Sequence, residues 1–204
     1  QNAQKTVSPY KTLASVRGMS TQISLPSAPS EVSPEWLGEA LSLRFPDTRV
    51  DTVEVLEIHH GTNSNARLGV TYQGESPLPA TFFLKMLPLD PERRAVINQT
   101  GMGRREALFY QHLADSITMR IPRPYVSVLD ESDGSFALLL EDLTPTKCEL
   151  ADPTTGISVQ QAGDAMRDYA ELHIRFEDEA RRKREAGWVD YMGRESDMGV
   201  WMLQ

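Results

Sequence analysis

Apolar residues recur along this chain at two spacings, and the switches between them mark its elements. Residues 1–32 are rich in Ser, Pro, Thr and Gln and hold neither period, which predicts an irregular arm. Ser33-Pro34-Glu35 reads as a helix start. Ser33 can cap, Pro34 suits the first helical position, and Glu35 favours the positive helix end. Leu37, Ala40 and Leu41 then share one face to about residue 44, where Phe45-Pro46-Asp47 stops the helix. Residues 50–59 read as a strand, with Val53 and Val55 alternating against Thr52 and Glu54. A turn at residues 60–65 leads into a second strand, 67–72, with Leu68, Val70 and Tyr72 on one face. After a polar turn at 73–79, residues 80–86 form a third strand. Its run of Phe82, Phe83, Leu84 and Met86 predicts burial on both faces.

Residues 88–103 read as a loop or a short helix, and 104–114 as a helix with Glu106, Phe109, Tyr110 and Leu113 at helical spacing. Ile121-Pro122-Arg123-Pro124 is extended, because proline restricts the residue before it. Two strands, 125–129 and 135–140, follow around a turn containing Asp133-Gly134. Residues 141–155 read as a linker. A long helix is expected from 158 to about 186, with Val159, Ala162, Met166, Tyr169, His173 and Phe176 in one stripe and a solvated charge run at 177–185. Residues 187–204 show no clear pattern. This order does not alternate strand and helix throughout, so a doubly wound parallel sheet fits badly. An α+β fold, with a five-stranded antiparallel sheet and one inserted helix, fits well.

Length and charge narrow the function classes. The 204 residues make one ordinary domain or two small ones. The 40% hydrophobic and 25% charged fractions are those of a soluble globular protein. A net charge of −8 provides no broad basic field, so nucleic acid is not expected as the main partner. A nucleotide remains compatible, since a few local donors hold it. The single cysteine, Cys148, cannot close an internal disulfide and reads as a loop residue in a reducing, cytoplasmic setting. No apolar run approaches the roughly 20 residues of a bilayer span, so no membrane association is expected. Lys5 and Lys11 precede no apolar core, which argues against a secretory signal. The chain opens at Gln1 rather than Met, which reads as processing, trimming or numbering from a later residue.

Three features suggest chemistry. Gly61, Thr62, Asn63, Ser64 and Asn65 form a turn between strands, where small and amide residues let backbone N–H groups approach phosphate oxygens. Lys85 lies inside an apolar strand, and an ammonium there needs an anion. Glu106 lies on the inward stripe of the following helix and also needs a partner, so the two are expected to pair and to hold the ammonium ready for phosphates. Each feature alone has an ordinary explanation: a plain hairpin, an edge lysine, a boundary glutamate. In order, with two more strands ending in Leu138-Leu139-Leu140-Glu141-Asp142-Leu143, they resemble the order of elements in a kinase small lobe.

The set Gly61 and Ser64-Asn65-Ala66-Arg67-Leu68, Phe83-Leu84-Lys85-Met86, Arg105-Glu106-Ala107-Leu108-Phe109-Tyr110, Ile121-Pro122-Arg123-Pro124 and Leu139-Leu140-Glu141-Asp142-Leu143 resembles the aminoglycoside-phosphotransferase superfamily, in particular its ecdysteroid-kinase-like branch. The stretch Ala170-Glu171-Leu172-His173-Ile174-Arg175-Phe176 resembles the helix that opens that family's second lobe. The match spans roughly residues 33–180. The resemblance implies an arm at 1–32, a protein-kinase-like ATP-binding lobe at 33–143, and a linker with the start of a helical second lobe at 144–204. It also implies residue roles. Gly61, Thr62, Asn63, Ser64 and Asn65 would cover the phosphates, Lys85 would bind the α/β-phosphates, and Glu106 would orient it. Leu140, Glu141, Asp142 and Leu143 would contact adenine. The family's chemistry is transfer of the ATP γ-phosphoryl group, with magnesium, to a hydroxyl of a small molecule.

The family's catalytic loop carries His-x-Asp followed by Asn, and none of His59, His60, His112 and His173 begins one. His173-Ile174-Arg175 has Arg where Asp is required, and His173 reads as a core or boundary histidine. His59 and His60 have few companions for a metal role. No catalytic base and no magnesium ligand is therefore named. The chain reads either as the N-terminal part of a small-molecule kinase or as a shortened, non-catalytic nucleotide-binding or regulatory relative. A plain α+β interaction domain, with Lys85–Glu106 as a structural ion pair, is the remaining alternative.

Overall fold

The computed structural model describes residues 23–146, 148 and 154–189, so the expectations for 1–22, for most of the linker and for 190–204 fall outside the described residues. Five α-helices and five strands are present among them: α1 Pro34–Ser42, β1 Val50–His60, β2 Ser64–Tyr72, β3 Thr81–Met86, α2 Pro91–Thr100, α3 Met102–His112, β4 Pro124–Leu129, β5 Phe136–Glu141, α4 Val159–Arg175 and α5 Glu179–Ala186. The fold is α+β, and the strands form one antiparallel sheet in the order β1-β2-β3-β5-β4.

Local chemistry accounts for the element ends. The Ser33 hydroxyl accepts the Trp36 N–H with Pro34 at the first position of α1. Two helices stand where one inserted helix was expected. Asp90 caps α2 by accepting from the Arg93 N–H, and Gly101, at φ 63°, ends α2 and leads into α3. Gly134 takes a left-handed φ of 73° in the β4–β5 turn. The long helix expected from residue 158 is broken into α4 and α5. Phe176 closes the first, and Asp178 caps the second by accepting from the Arg181 N–H.

Both faces of the sheet are covered. On one, α1 lies over Leu68, Phe82, Leu84 and Leu139, with Leu37 and Leu41 fully buried. On the other, Leu87, Ile97, Ala107 and Tyr110 pack on Phe136, Leu138 and Leu140. The apolar run in β3 is nonetheless unequal. Phe82, Leu84 and Met86 are buried, whereas Phe83 and Lys85 are only half-buried. The reason is that α3 crosses β4 and β5 rather than β3. Arg44, buried just after α1, ties the first face together. Its guanidinium donates to the Pro124 carbonyl at 2.8 Å and to Asp115 at 3.0 Å. No helix among the described residues is long and apolar enough to cross a membrane.

Candidate functional site

Lys85 is placed by the register of three strands. It stands opposite Asn65 on β2 and opposite Leu138 on β5. Two residues along, Arg67, Phe83 and Leu140 form a second row. Side chains two apart along a strand share a face, so Asn65, Arg67, Phe83 and Lys85 lie on the side of the sheet that faces α3. From α3, Glu106 reaches Lys85. The ammonium Nζ lies 2.7 Å from Oε1 and 2.7 Å from Oε2, with both side chains half-buried. The predicted pair therefore forms between a strand and a helix that is brought close by a glycine. A Cβ on Gly103 would stand 2.3 Å from Cε1 of the buried Phe136, so only glycine lets α3 approach β5 this closely.

Glu106 also acts on its neighbour. Burial, with the Glu106 charge beside it, pushes the Tyr110 hydroxyl up to about 12, so it stays protonated and neutral.

The predicted phosphate turn divides into two parts. Gly61, Thr62 and Asn63 form the turn, where the Gly61 N–H donates to the Asn63 carbonyl at 3.1 Å and the Gly61 carbonyl accepts from Arg93 at 3.1 Å. Ser64 and Asn65 belong to β2 and pair with β1 on one side and β3 on the other. Their main chain is thus committed to the ladder, leaving their side chains as the groups able to meet a ligand. The Ser64 side chain is buried, whereas Asn65 points to the Lys85 side.

The predicted adenine segment is held from several directions. Leu140 is buried in β5. The Glu141 carboxylate accepts from Arg120 and from the Arg123 N–H, each at 3.1 Å. Asp142 is nearly sealed from solvent and accepts from the Arg67 Nε at 2.7 Å and from the Thr144 N–H at 2.9 Å. Burial alone would raise its carboxyl, but the bonds from Arg67, Thr144 and Thr81 together outweigh that and hold it at about 2. The Leu143 carbonyl accepts from the Thr146 N–H and hydroxyl.

Sequence reasoning quoted Arg67 but assigned it no role. Its signal was there, since an arginine two residues from Asn65 shares the Lys85 side of β2 and needs a carboxylate. In the predicted phosphate turn, Oδ1 of Asn63 and Oδ1 of Asn65 are buried and have no hydrogen-bond partner among the described residues. The histidines are placed differently from expectation in one case. His173 is exposed on α4, while His59 lies beside Glu57 at the exposed edge strand. Among the described residues, no group of three or more His, Cys, Asp or Glu is arranged to hold a metal ion.

A cleft of about 870 Å³ lies elsewhere, between residues 23–27 of the arm and Leu87, Arg94, Leu129 and Phe136. Its size does not mark the chemistry, because neither Lys85 nor Glu106 lines it. No family model, curated protein or solved structure matches this chain.

Proposed function

We propose that the chain carries the nucleotide-binding lobe of an ATP-dependent phosphotransferase, which passes the γ-phosphoryl group to a hydroxyl of a small molecule. The observation that carries this reading is the bidentate contact of Lys85 with Glu106 at the half-buried junction of β3 and α3. A lysine so held is positioned and charged, yet open enough for an anion to approach it. Lys85 would bind phosphate oxygens, Glu106 would orient the ammonium, and residues 61–63 would lie over the phosphates. Residues 140–143 would meet the base through their main chain, since the Asp142 carboxylate is engaged by Arg67. Asn65, opposite Lys85 in the β2–β3 ladder, lies on the same side of the sheet. Magnesium would arrive with the nucleotide and neutralise phosphate charge.

The stripe on α4 supports a helical second lobe packed against it. Val159, Met166 and Tyr169 are 91%, 60% and 52% exposed, which is unusual for an apolar helix face with no cover.

Thermal unfolding with increasing Mg·ATP, on the unaltered chain and on Lys85→Ala, tests the reading. Saturation to 100 times the dissociation constant adds about 2.7 kcal/mol, a rise of roughly 5–10 °C for a chain of this size. A rise lost in Lys85→Ala supports nucleotide binding. No rise in the unaltered chain would leave Lys85–Glu106 as a structural ion pair in an interaction domain. If nucleotide binds, phosphate transfer to a panel of small alcohols separates an enzyme from a non-catalytic module.

A further inference from the structure

We infer that Arg93, carried on α2, is a second cation of the Lys85 site and takes the terminal phosphate of the nucleotide. This rests on the nucleotide reading above and adds to it the residue that tells a triphosphate from a diphosphate.

The end of the sheet brings Arg93 to the site. Met86, the last residue of β3, stands opposite Ser64, the first of β2, so the 61–63 turn and the connection into α2 leave the sheet at the same end. Two bonds fix the start of α2. Asp90 accepts from the Arg93 N–H at 2.8 Å, and Arg94 donates to the Pro88 carbonyl at 3.3 Å. One turn on, Ile97 is buried in the same cluster as Leu138, which stands opposite Lys85 on β5. Helix α2 thus lies on the Lys85 side of the sheet. From its first turn the Arg93 guanidinium reaches across and donates to the Gly61 carbonyl at 3.1 Å.

That contact leaves the cation without an anion. Arg44, Arg67 and Arg104 each meet a carboxylate. Arg93 meets none among the described residues, and its bond to an exposed, neutral carbonyl uses one N–H of five. Arg94 and Arg105 also donate to carbonyls, but to ones 6 and 5 residues away within their own helix ends, whereas Arg93 reaches 32 residues back to the turn. A phosphate would outcompete the Gly61 carbonyl. Charge-assisted bonds are roughly twice as strong as neutral ones, and a guanidinium can hold two phosphate oxygens at once.

The order along β3 selects the terminal phosphate. Glu141, in the segment proposed to meet the base, stands opposite Phe82; Lys85 follows along the strand; the turn and Arg93 lie beyond Met86. Base, inner phosphates and last phosphate occur in that same order in a nucleotide. Lys85 is already offset by Glu106, so a further phosphate needs a further cation.

Calorimetric titration of Mg·ATP and of Mg·ADP into the unaltered chain, Arg93→Gln, Arg93→Lys and Lys85→Ala tests this. The unaltered chain is expected to prefer ATP. Arg93→Gln is expected to weaken ATP roughly 10-fold or more, the usual consequence of losing a bond between charged groups, and to leave ADP within about twofold. Arg93→Lys keeps the charge and is expected to retain most of the preference. Arg93 is exposed, so both variants are expected to melt, without nucleotide, as the unaltered chain does. Equal losses of ATP and ADP in Arg93→Gln would mean that Arg93 only pins the turn, and would overturn the proposal. An unaltered chain that binds the two nucleotides alike would overturn it as well. If the unaltered chain binds ATP, Lys85→Ala loses it and Arg93→Gln binds normally, this inference falls while the nucleotide reading stands. If the unaltered chain binds no ATP, both fall.

Discussion

Arg67 on β2 donates its Nε–H to the Asp142 carboxylate at 2.7 Å, fastening the strand that carries Asn65 to the segment that leaves β5. Asp142 is almost fully buried, so its charge depends on this partner.

That dependence sets an acid limb. The Asp142 carboxyl lies at about 2 in the fold, below its ordinary 3.8. A depressed carboxylate contributes stability above its unfolded value and loses it as pH falls through the folded one. The contribution is about 2 kcal/mol above pH 4 and fades between pH 4 and 2. Asp142→Asn is expected to lower stability at pH 7 by about 2–3 kcal/mol, with the gap to the unaltered chain closing below pH 3. Urea unfolding at pH 7 and pH 3 measures both.

The Lys85–Glu106 pair should matter little to folding. Both groups are partly solvated, which screens their attraction. A double-mutant cycle with Lys85→Met and Glu106→Gln is expected to give a coupling of about 0.5–1 kcal/mol in denaturant unfolding, smaller at high salt. A coupling of several kcal/mol would assign the pair to the core rather than to a ligand.

Gly103 is required by contact, not by backbone angle. Alanine is the better helix former by about 1 kcal/mol, yet its Cβ would overlap the Phe136 ring. Because the Phe136 ring is 1% exposed and packed in the core, the clash outweighs the gain in helix propensity. Gly103→Ala is expected to destabilise by about 1–3 kcal/mol, and Phe136→Leu in that background to recover part of the loss. Thermal unfolding of the unaltered chain and the two variants decides it.

The two faces of β3 give a fourth test. Phe82 is fully buried under α1, and Phe83 is half-buried beside Lys85. Phe82→Ala is expected to cost about 3–5 kcal/mol and Phe83→Ala clearly less, measured by urea unfolding. Equal losses would mean that both sides of β3 are sealed.

Much of this architecture is written locally. Ser33 and Pro34 announce α1, Asp133 and Gly134 announce the β4–β5 turn, and the alternation of Leu68 and Val70 announces β2, because caps, turns and strand faces depend on neighbours a few residues away. Helix α2 was harder to read. It buries only Ile97 and Thr100, so its apolar period is faint, and its helicity rests on the Asp90 cap, Pro91 and Gly101. The break at Phe176 was also missed, since the charge run continues past it while Asp178 starts a new helix.

Of the site, the residue types of Lys85 and Glu106 were legible, because an ammonium and a carboxylate on inward stripes must find each other. Their company was not. Sequence alone determined that strands, helices and a pairable lysine would occur in this order. The tertiary structure decided that β5 lies between β3 and β4, that Phe82 rather than Phe83 is sealed, and that Asn65 faces Lys85 while Ser64 turns away. Those outcomes follow from the register of ladders joining residues far apart in the chain, and a slip of one residue would have exchanged every face.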